Sequence, residues 1–447
     1  VIVSRNCWHR IFLIIMVFGI AICGRVGHAQ DLATSEDPKF VKFMTGAFPN
    51  PHSHLCVLMD ANTGKVLFAR NPHMRRPPAS TTKMVACLVL LEHGRLADTV
   101  VAPAGLEHTE ESSLHLAAGE KISLEDLLYA MMLRSANDTP LAGGYYLCRS
   151  VPKFVELMNC EVKTIGCKDT HFVTPNGLYA PGHYSSPYDL ALIARYCYAH
   201  SPEFAQIVKT PSRQIGRSVH KGDNVVKSTA ETFLKVFPGA DGVKTGYIRQ
   251  SGHCFVGSAS RDGWRLIAVA LNSSQCRSDV MQMLAYGFEK YKPVLVFKKG
   301  VSAGELQLNG VSGPVRVVAG SDLCDVTLRE ANGRLPPIYT ITSKATKSRP
   351  AGDVHVGDVV GTVVLLASGK PVMVTDAIAT QAAPETLTAR LSATIKLGSG
   401  GRAGIILTKV VGRLALFAAL SLAAVLFYAR TTTKSNRRRR SRFTPNL

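Results

Sequence analysis

Apolar and polar positions along the chain fall into distinct regimes. Residues 54–69 alternate: His54-Leu55-Cys56-Val57-Leu58-Met59, then polar Asp60-Ala61-Asn62-Thr63-Gly64, then Lys65-Val66-Leu67-Phe68-Ala69. This predicts a hairpin of two half-buried strands around a loop ending in glycine. Residues 80–92 predict a helix, opened after Pro77-Pro78 and stopped at Gly94. Its apolar residues, among them Met84, Val85, Cys87, Leu88 and Leu91, go almost all the way round, as in a helix that runs through a core. Ser123 is placed to cap a second helix, with Glu125 and Asp126 in its first turn and Leu127, Leu128, Met131 and Met132 facing inward. Residues 254–260, the turn Arg261-Asp262-Gly263 and residues 264–271 predict an antiparallel strand pair of a central sheet.

From 294 to 390 the character changes. Short β-rich segments (Val315-Arg316-Val317-Val318, Ile338-Tyr339-Thr340-Ile341, 359–366, 372–379) are spaced by Gly and Pro, the layout of a small all-β module. The ends differ again. Arg5 and Arg10, an apolar run from Ile11 to Cys23, and Gly27-His28-Ala29 before Gln30 read as a secretory signal over 1–29; a retained N-terminal anchor is the alternative. Gly398-Ser399-Gly400-Gly401 marks a flexible linker, 391–404. Residues 405–429 are mostly apolar and read as a membrane anchor helix, with the basic tail 430–447 on the cytoplasmic side. Lys409 and Arg413, four residues apart, leave open an amphipathic helix lying on the membrane surface.

Composition sharpens this picture. With 46% hydrophobic and 19% charged residues among 447, disorder is excluded as the main state. The net charge of +20 would suggest a polyanion partner, but much of the excess is terminal: Arg5, Arg10 and Arg25 at one end, Lys434, Arg437–Arg440 and Arg442 at the other. With 7% aromatics and no basic–aromatic stripe, a nucleic-acid surface is not expected. Beyond residue 29 an odd number of cysteines remains, without a C-x-x-C pair and partly inside apolar runs. They read as buried small hydrophobes, with one or two bridges left open.

Three short motifs carry candidate chemistry. Ser80-Thr81-Thr82-Lys83 puts a hydroxyl at a helix start, where N–H groups favour developing negative charge, and an amine one turn on along the same face. A serine hydroxyl needs a base, and a lysine serves when burial and nearby positive charge lower its pKa. Ser135-Ala136-Asn137 follows the second helix with a hydroxyl and an amide. Lys244-Thr245-Gly246, followed by Tyr247, offers a cation, a hydroxyl and close access to backbone. Each alone is compatible with an ordinary cap, helix end or hairpin edge.

Together and in this order, S-x-x-K, S-x-N and K-T-G form the motif set of penicillin-binding proteins and serine β-lactamases. With Asp169-Thr170-His171-Phe172, Asn176-Gly177-Leu178, His183-Tyr184-Ser185-Ser186 and Asp241-Gly242-Val243 around them, residues 40–292 resemble the low-molecular-mass penicillin-binding proteins, the serine-type D-alanyl-D-alanine carboxypeptidases. The resemblance implies an α/β (α+β) transpeptidase domain, here 30–293, followed by the all-β domain and a C-terminal membrane helix. It implies removal of the terminal D-alanine from peptidoglycan stem pentapeptides, with β-lactams as covalent inhibitors. Ser80 would be the nucleophile, Lys83 the general base, Ser135 a proton relay bridged to Lys83 and Lys244, and Asn137 an orienting group. Lys244, Thr245, Gly246 and Tyr247 would bind substrate; Arg277 falls near a family arginine for carboxylate, at shifted spacing. No metal or cofactor is expected, and the catalytic domain would sit on the periplasmic side of the inner membrane. Ala136 replaces a common Gly, and Ile248 a usual Thr. A β-lactamase or a membrane-tethered penicillin sensor are the alternatives; the E-x-x-L-N segment of class A β-lactamases is missing between Ser135 and Lys244.

Overall fold

The computed structural model describes residues 48–386, apart from 221, 223, 331–336 and 347–351, together with 389. The expected signal segment (1–29), linker, anchor helix and basic tail lie outside the described residues. Among the described residues no helix is long and apolar enough to cross a membrane.

The expected hairpin forms as β1 (Leu55–Asp60) and β2 (Val66–Arg70). Helix α1 (Lys83–His93) is entered through a 3₁₀ turn, Ala79–Thr82, and stops at Gly94. Two short strands, β3 (Thr99–Val101) and β4 (Lys121–Ser123), pair and lead into α2 (Leu124–Tyr129), whose cap is the Ser123 hydroxyl accepting from Asp126 N–H. A π-helical turn, Ala130–Arg134, extends α2. Then come α3 (Asp138–Cys148), α4 (Val151–Ile165), α5 (Pro187–His200) and α6 (Pro202–Lys209). The small pair β5 (Ser212–Gln214) and β6 (Val225–Lys227) precedes α7 (Glu231–Val236). The unit closes with β7 (Ala240–Ile248), β8 (Gly252–Arg261), β9 (Trp264–Leu271) and α8 (Cys276–Lys290).

An antiparallel sheet of order β2-β1-β9-β8-β7 divides the core. Side-chain alternation sends Val57, Met59, Ile267 and Val269 to one face, where α1 and the helices around it pack. Leu58, Leu266, Ala268 and Ala270 go to the other, against Val280, Met283 and Leu284 of α8. Both faces are buried, so the central strands carry apolar residues at nearly every position. This is a mixed α/β domain of three layers with β7 at one edge of its sheet.

The chain divides into two compact units. Phe297–Leu323 and the described residues from Tyr339 onward form the second; Cys324–Ile338 belongs to the first with the residues up to Val296. The first unit therefore includes most of β13 (Leu323–Leu328), paired with β10 (Tyr291–Phe297), and Lys65 Nζ donates to Asp325 Oδ1 at 2.9 Å. The second unit is an antiparallel sheet of order β11-β12-β16-β15-β14: β11 (Ser302–Gln307), β12 (Pro314–Ala319), β14 (Tyr339–Ala345), β15 (Val359–Ala367) and β16 (Lys370–Ala379). Cysteines 56, 87, 148, 160, 167, 197, 254 and 276 are free thiols; five of them are buried, and Cys160 is exposed.

Candidate active site

Ser80 lies in the 3₁₀ turn ahead of α1, so the helix proper starts at Lys83 and not at the serine. The tighter turn follows from Ala79, whose φ of +49° bends the chain sharply. The turn is locked by its neighbours. A Cβ on Gly177 would meet Ala79 O at 2.0 Å, and one on Gly246 would meet Ser80 N at 2.8 Å. Gly246 is thus required by the approach of β7 to the serine's own backbone. Behind the turn, Val173 N–H donates to His183 Nδ1 at 3.0 Å, which leaves the ring proton on Nε2 to donate to Thr82 Oγ1 at 2.9 Å. Burial holds this imidazole neutral, its pKa lowered to about 4.

Lys83 is fully buried. Its Nζ lies 2.9 Å from Ser80 Oγ, 2.6 Å from Asn137 Oδ1 and 2.6 Å from the Asn176 carbonyl oxygen. Burial, and then the positive charge of Lys244, hold its pKa well below the usual lysine range; Glu111 and Asp138 pull the other way. Lys244 is buried on β7, and burial lowers its pKa to about 7. No carboxylate forms an ion pair with either lysine among the described residues. This is the electrostatic condition for an uncharged amine beside a hydroxyl.

Asn137 opens α3, and its Nδ2 donates to Glu110 O at 3.0 Å. The Asp138 carboxylate accepts from Leu114 and Leu116 N–H, each at 3.0 Å, tying the 103–118 loop to the same helix start. Ser135 ends the π-helical turn in a left-handed conformation, φ +66°. The bridge to Lys83 and Lys244 implied by the family resemblance is not formed: the three partners of Lys83 Nζ occupy it, and Lys244 Nζ donates to Thr245 O at 3.1 Å.

On the far side of β7, Thr245 Oγ1 donates to Thr229 Oγ1 at 2.6 Å, and Arg277 Nη2 donates to Thr229 O at 2.9 Å. Arg277, Thr245, Gly246 and Cys254 line a cavity of about 170 Å³. The shifted arginine therefore does reach the K-T-G strand. Tyr247 is half exposed, its ring tilted at 37° against His253 with centroids 4.5 Å apart. Asn176 and His183 stand in segments that carry the family resemblance, without a role assigned from sequence, and Thr229 lies in none of them. Asn176 and Thr229 act at the site through main-chain oxygens, and His183 acts through Thr82.

A buried amine at a hydroxyl, an amide opposite, and a basic, hydroxyl-lined pocket beyond define a serine acyl-transfer centre on an edge strand. The peptidase S11 family model, described as D-alanyl-D-alanine carboxypeptidase, matches residues 42–275, just over half of the chain. The chain belongs to that family of serine-type D-Ala-D-Ala carboxypeptidases, which are penicillin-binding proteins. It is 27% identical to the D-alanyl-D-alanine carboxypeptidase DacF of Bacillus subtilis, over 70% of this chain and 81% of that protein. It is 29% identical to the DacA enzyme of Escherichia coli K12, over 80% and 88%. The crystal structure of penicillin-binding protein 5 from Haemophilus influenzae superposes with a TM-score of 0.60 at 26% identity, covering 76% of this chain and 99% of that one.

Proposed function

We propose that this chain releases the terminal D-alanine from peptides ending in D-Ala-D-Ala, the stem peptides of peptidoglycan, through an acyl-enzyme on Ser80. The observation that carries the reading is the set of partners around Lys83 Nζ. An uncharged amine has two N–H donors and one lone pair. The Asn137 amide oxygen and the Asn176 carbonyl oxygen can only accept, so they take both donors. The lone pair then falls to the Ser80 hydroxyl at 2.9 Å. Ser80 Oγ attacks the penultimate D-Ala carbonyl carbon while its proton passes to Lys83.

Collapse breaks the peptide bond, and the proton held on Lys83 passes to the leaving amine through Ser135, whose hydroxyl has no hydrogen bond among the described residues. Water then attacks the ester, with Lys83 again accepting the proton. The main-chain N–H groups of Ser80 and Tyr247 would hold the oxyanion; such donors contribute about 2.7–4 kcal/mol each. Lys244, Thr245 and Arg277 receive the free carboxylate. A β-lactam presents a strained amide beside a carboxylate and opens on Ser80 in the same way. Asn137 orients both Lys83 and the substrate carbonyl.

On the same reading, residues 1–29 direct export and residues 405–429 tether the protein to the inner membrane, with the catalytic unit outside the cytoplasm and 430–447 inside. The cationic start, the apolar runs and the arginine block support it. The β unit is read as a spacer that lifts the site towards the wall. The test uses the full-length protein in detergent with Nα,Nε-diacetyl-L-Lys-D-Ala-D-Ala, and mass spectrometry after penicillin treatment. Wild type should release D-alanine and carry the adduct on the Ser80 peptide, and Ser80→Ala should do neither. Penicillin labelling without D-alanine release would replace the carboxypeptidase by a single-use penicillin sensor.

A further inference from the structure

One charged side chain at this cleft has no part in the reaction just described. The segment 110–112 runs along the S-x-N turn. Asn137 N–H donates to Ser112 O at 2.7 Å and Asn137 Nδ2 donates to Glu110 O at 3.0 Å. Ser112 Oγ donates to Arg134 O at 2.9 Å. The carbonyl groups of the two residues flanking Glu111 are therefore pinned to the residue that also accepts from Lys83. Glu111 itself has φ +61°, a left-handed conformation uncommon outside glycine and concentrated where a site holds its backbone. Its side chain is exposed and makes no hydrogen bond or ion pair among the described residues. Its charge nevertheless acts on Lys83, opposing the effect of burial.

We propose that Glu111 is a specificity-determining residue that pairs with a primary ammonium on the acyl part of the substrate, carried by the residue immediately upstream of D-Ala-D-Ala. The inference rests on acylation of Ser80. The upstream residue sits one Cα step, about 3.8 Å, from the residue whose carbonyl Ser80 attacks, and a diamino-acid side chain extends further. The leaving end is taken by Lys244, Thr245 and Arg277, so the acyl end runs towards Asn137 and the segment fastened to it. Pairing has a second consequence. It cancels one of the two negative charges, Glu111 and Asp138, that favour protonated Lys83, so a cationic substrate helps to keep its own base uncharged.

The experiment compares D-alanine release from Nα-acetyl-L-Lys-D-Ala-D-Ala, which keeps its ε-ammonium, with release from the Nα,Nε-diacetyl peptide. Full-length wild type, Glu111→Gln and Glu107→Gln are used at low and at 0.5 M salt. Wild type should favour the ammonium peptide in kcat/KM, up to about fivefold for an exposed charge pair. The preference should vanish in Glu111→Gln, survive in Glu107→Gln on the same loop, and shrink with salt. A preference unchanged in Glu111→Gln, or lost equally in Glu107→Gln, overturns the assignment, as does an equal change towards both peptides. Release from neither peptide by wild type would instead overturn the acyl-enzyme reading itself, and this inference with it. Penicillin labelling and thermal unfolding of each variant report that the site is folded.

Discussion

Lys83 and Lys244 are both removed from water in one cleft, and burying an ammonium without a counterion costs several kcal/mol. The molecule meets this cost by letting the amines lose their protons, which is also what a base for Ser80 needs. The charge of Lys244 weighs on the protonation of Lys83. Lys244→Met removes the positive neighbour that lowers Lys83, so the pKa of Lys83 rises. The acid limb of the kcat/KM profile should therefore move to higher pH, with at least a tenfold loss at pH 7; a limb that stays in place would separate the two groups. His183 supports from behind. It stays neutral down to about pH 4, so His183→Ala should lower kcat through a displaced Thr82 without moving either limb above pH 5. At this scale Ser80, Lys83, Ser135, Asn137, Lys244 and Thr245 were legible because hydroxyl, amine and amide recur at fixed spacing. The Asn176 carbonyl and Thr229 were not, since a backbone oxygen carries no side-chain signature.

The elements that position the site are joined at points where a side chain has no room. β7 passes so close to the serine turn that a methyl on Gly246 meets a backbone nitrogen, which has nowhere to move. Gly246→Ala should accordingly cut kcat and penicillin acylation by at least about tenfold, as the turn and strand move apart, while far-UV circular dichroism stays that of wild type. Normal acylation would mean the turn can relax. Local signals predicted the β1–β2 and β8–β9 hairpins, the Ser123 cap and the Gly94 stop, because turn chemistry and alternation act within a few residues. They did not predict the 3₁₀ turn at Ser80 or the π-helical turn before Ser135. The first is held by contacts from Gly177 and β7, and in the second Leu133 O accepts from Thr229 N–H, all distant in the chain.

At the scale of the whole molecule, protonation and stability are linked. In the unfolded chain Lys244 binds its proton up to about pH 10.5, and in the folded chain only up to about 7. The unfolded state binds more protons between these values, so stability rises with pH across that window. Lys244→Met should raise Tm at pH 7, by at least about 2–4 °C if 1 kcal/mol or more is relieved, and the gain should shrink by pH 10. A gain independent of pH would assign the effect to packing. The first unit also depends on a strand that arrives late in the chain. Excising 300–385 takes β13 and the Lys65–Asp325 pair from it, and should lower its unfolding temperature in calorimetry; an unchanged transition would show that β13 is dispensable. The order of three motifs, the hairpins and caps around them and the β-rich character beyond residue 294 were determined by sequence alone, because each rests on residue type and short spacing. Tertiary structure alone decided which oxygens surround Lys83, that Arg277 and Thr245 both bond Thr229, that Ser135 is a hydrogen-bond partner of neither lysine, and that the residues flanking Glu111 are fastened to Asn137. Those depend on burial and on contacts between segments tens of residues apart, and no local pattern encodes them.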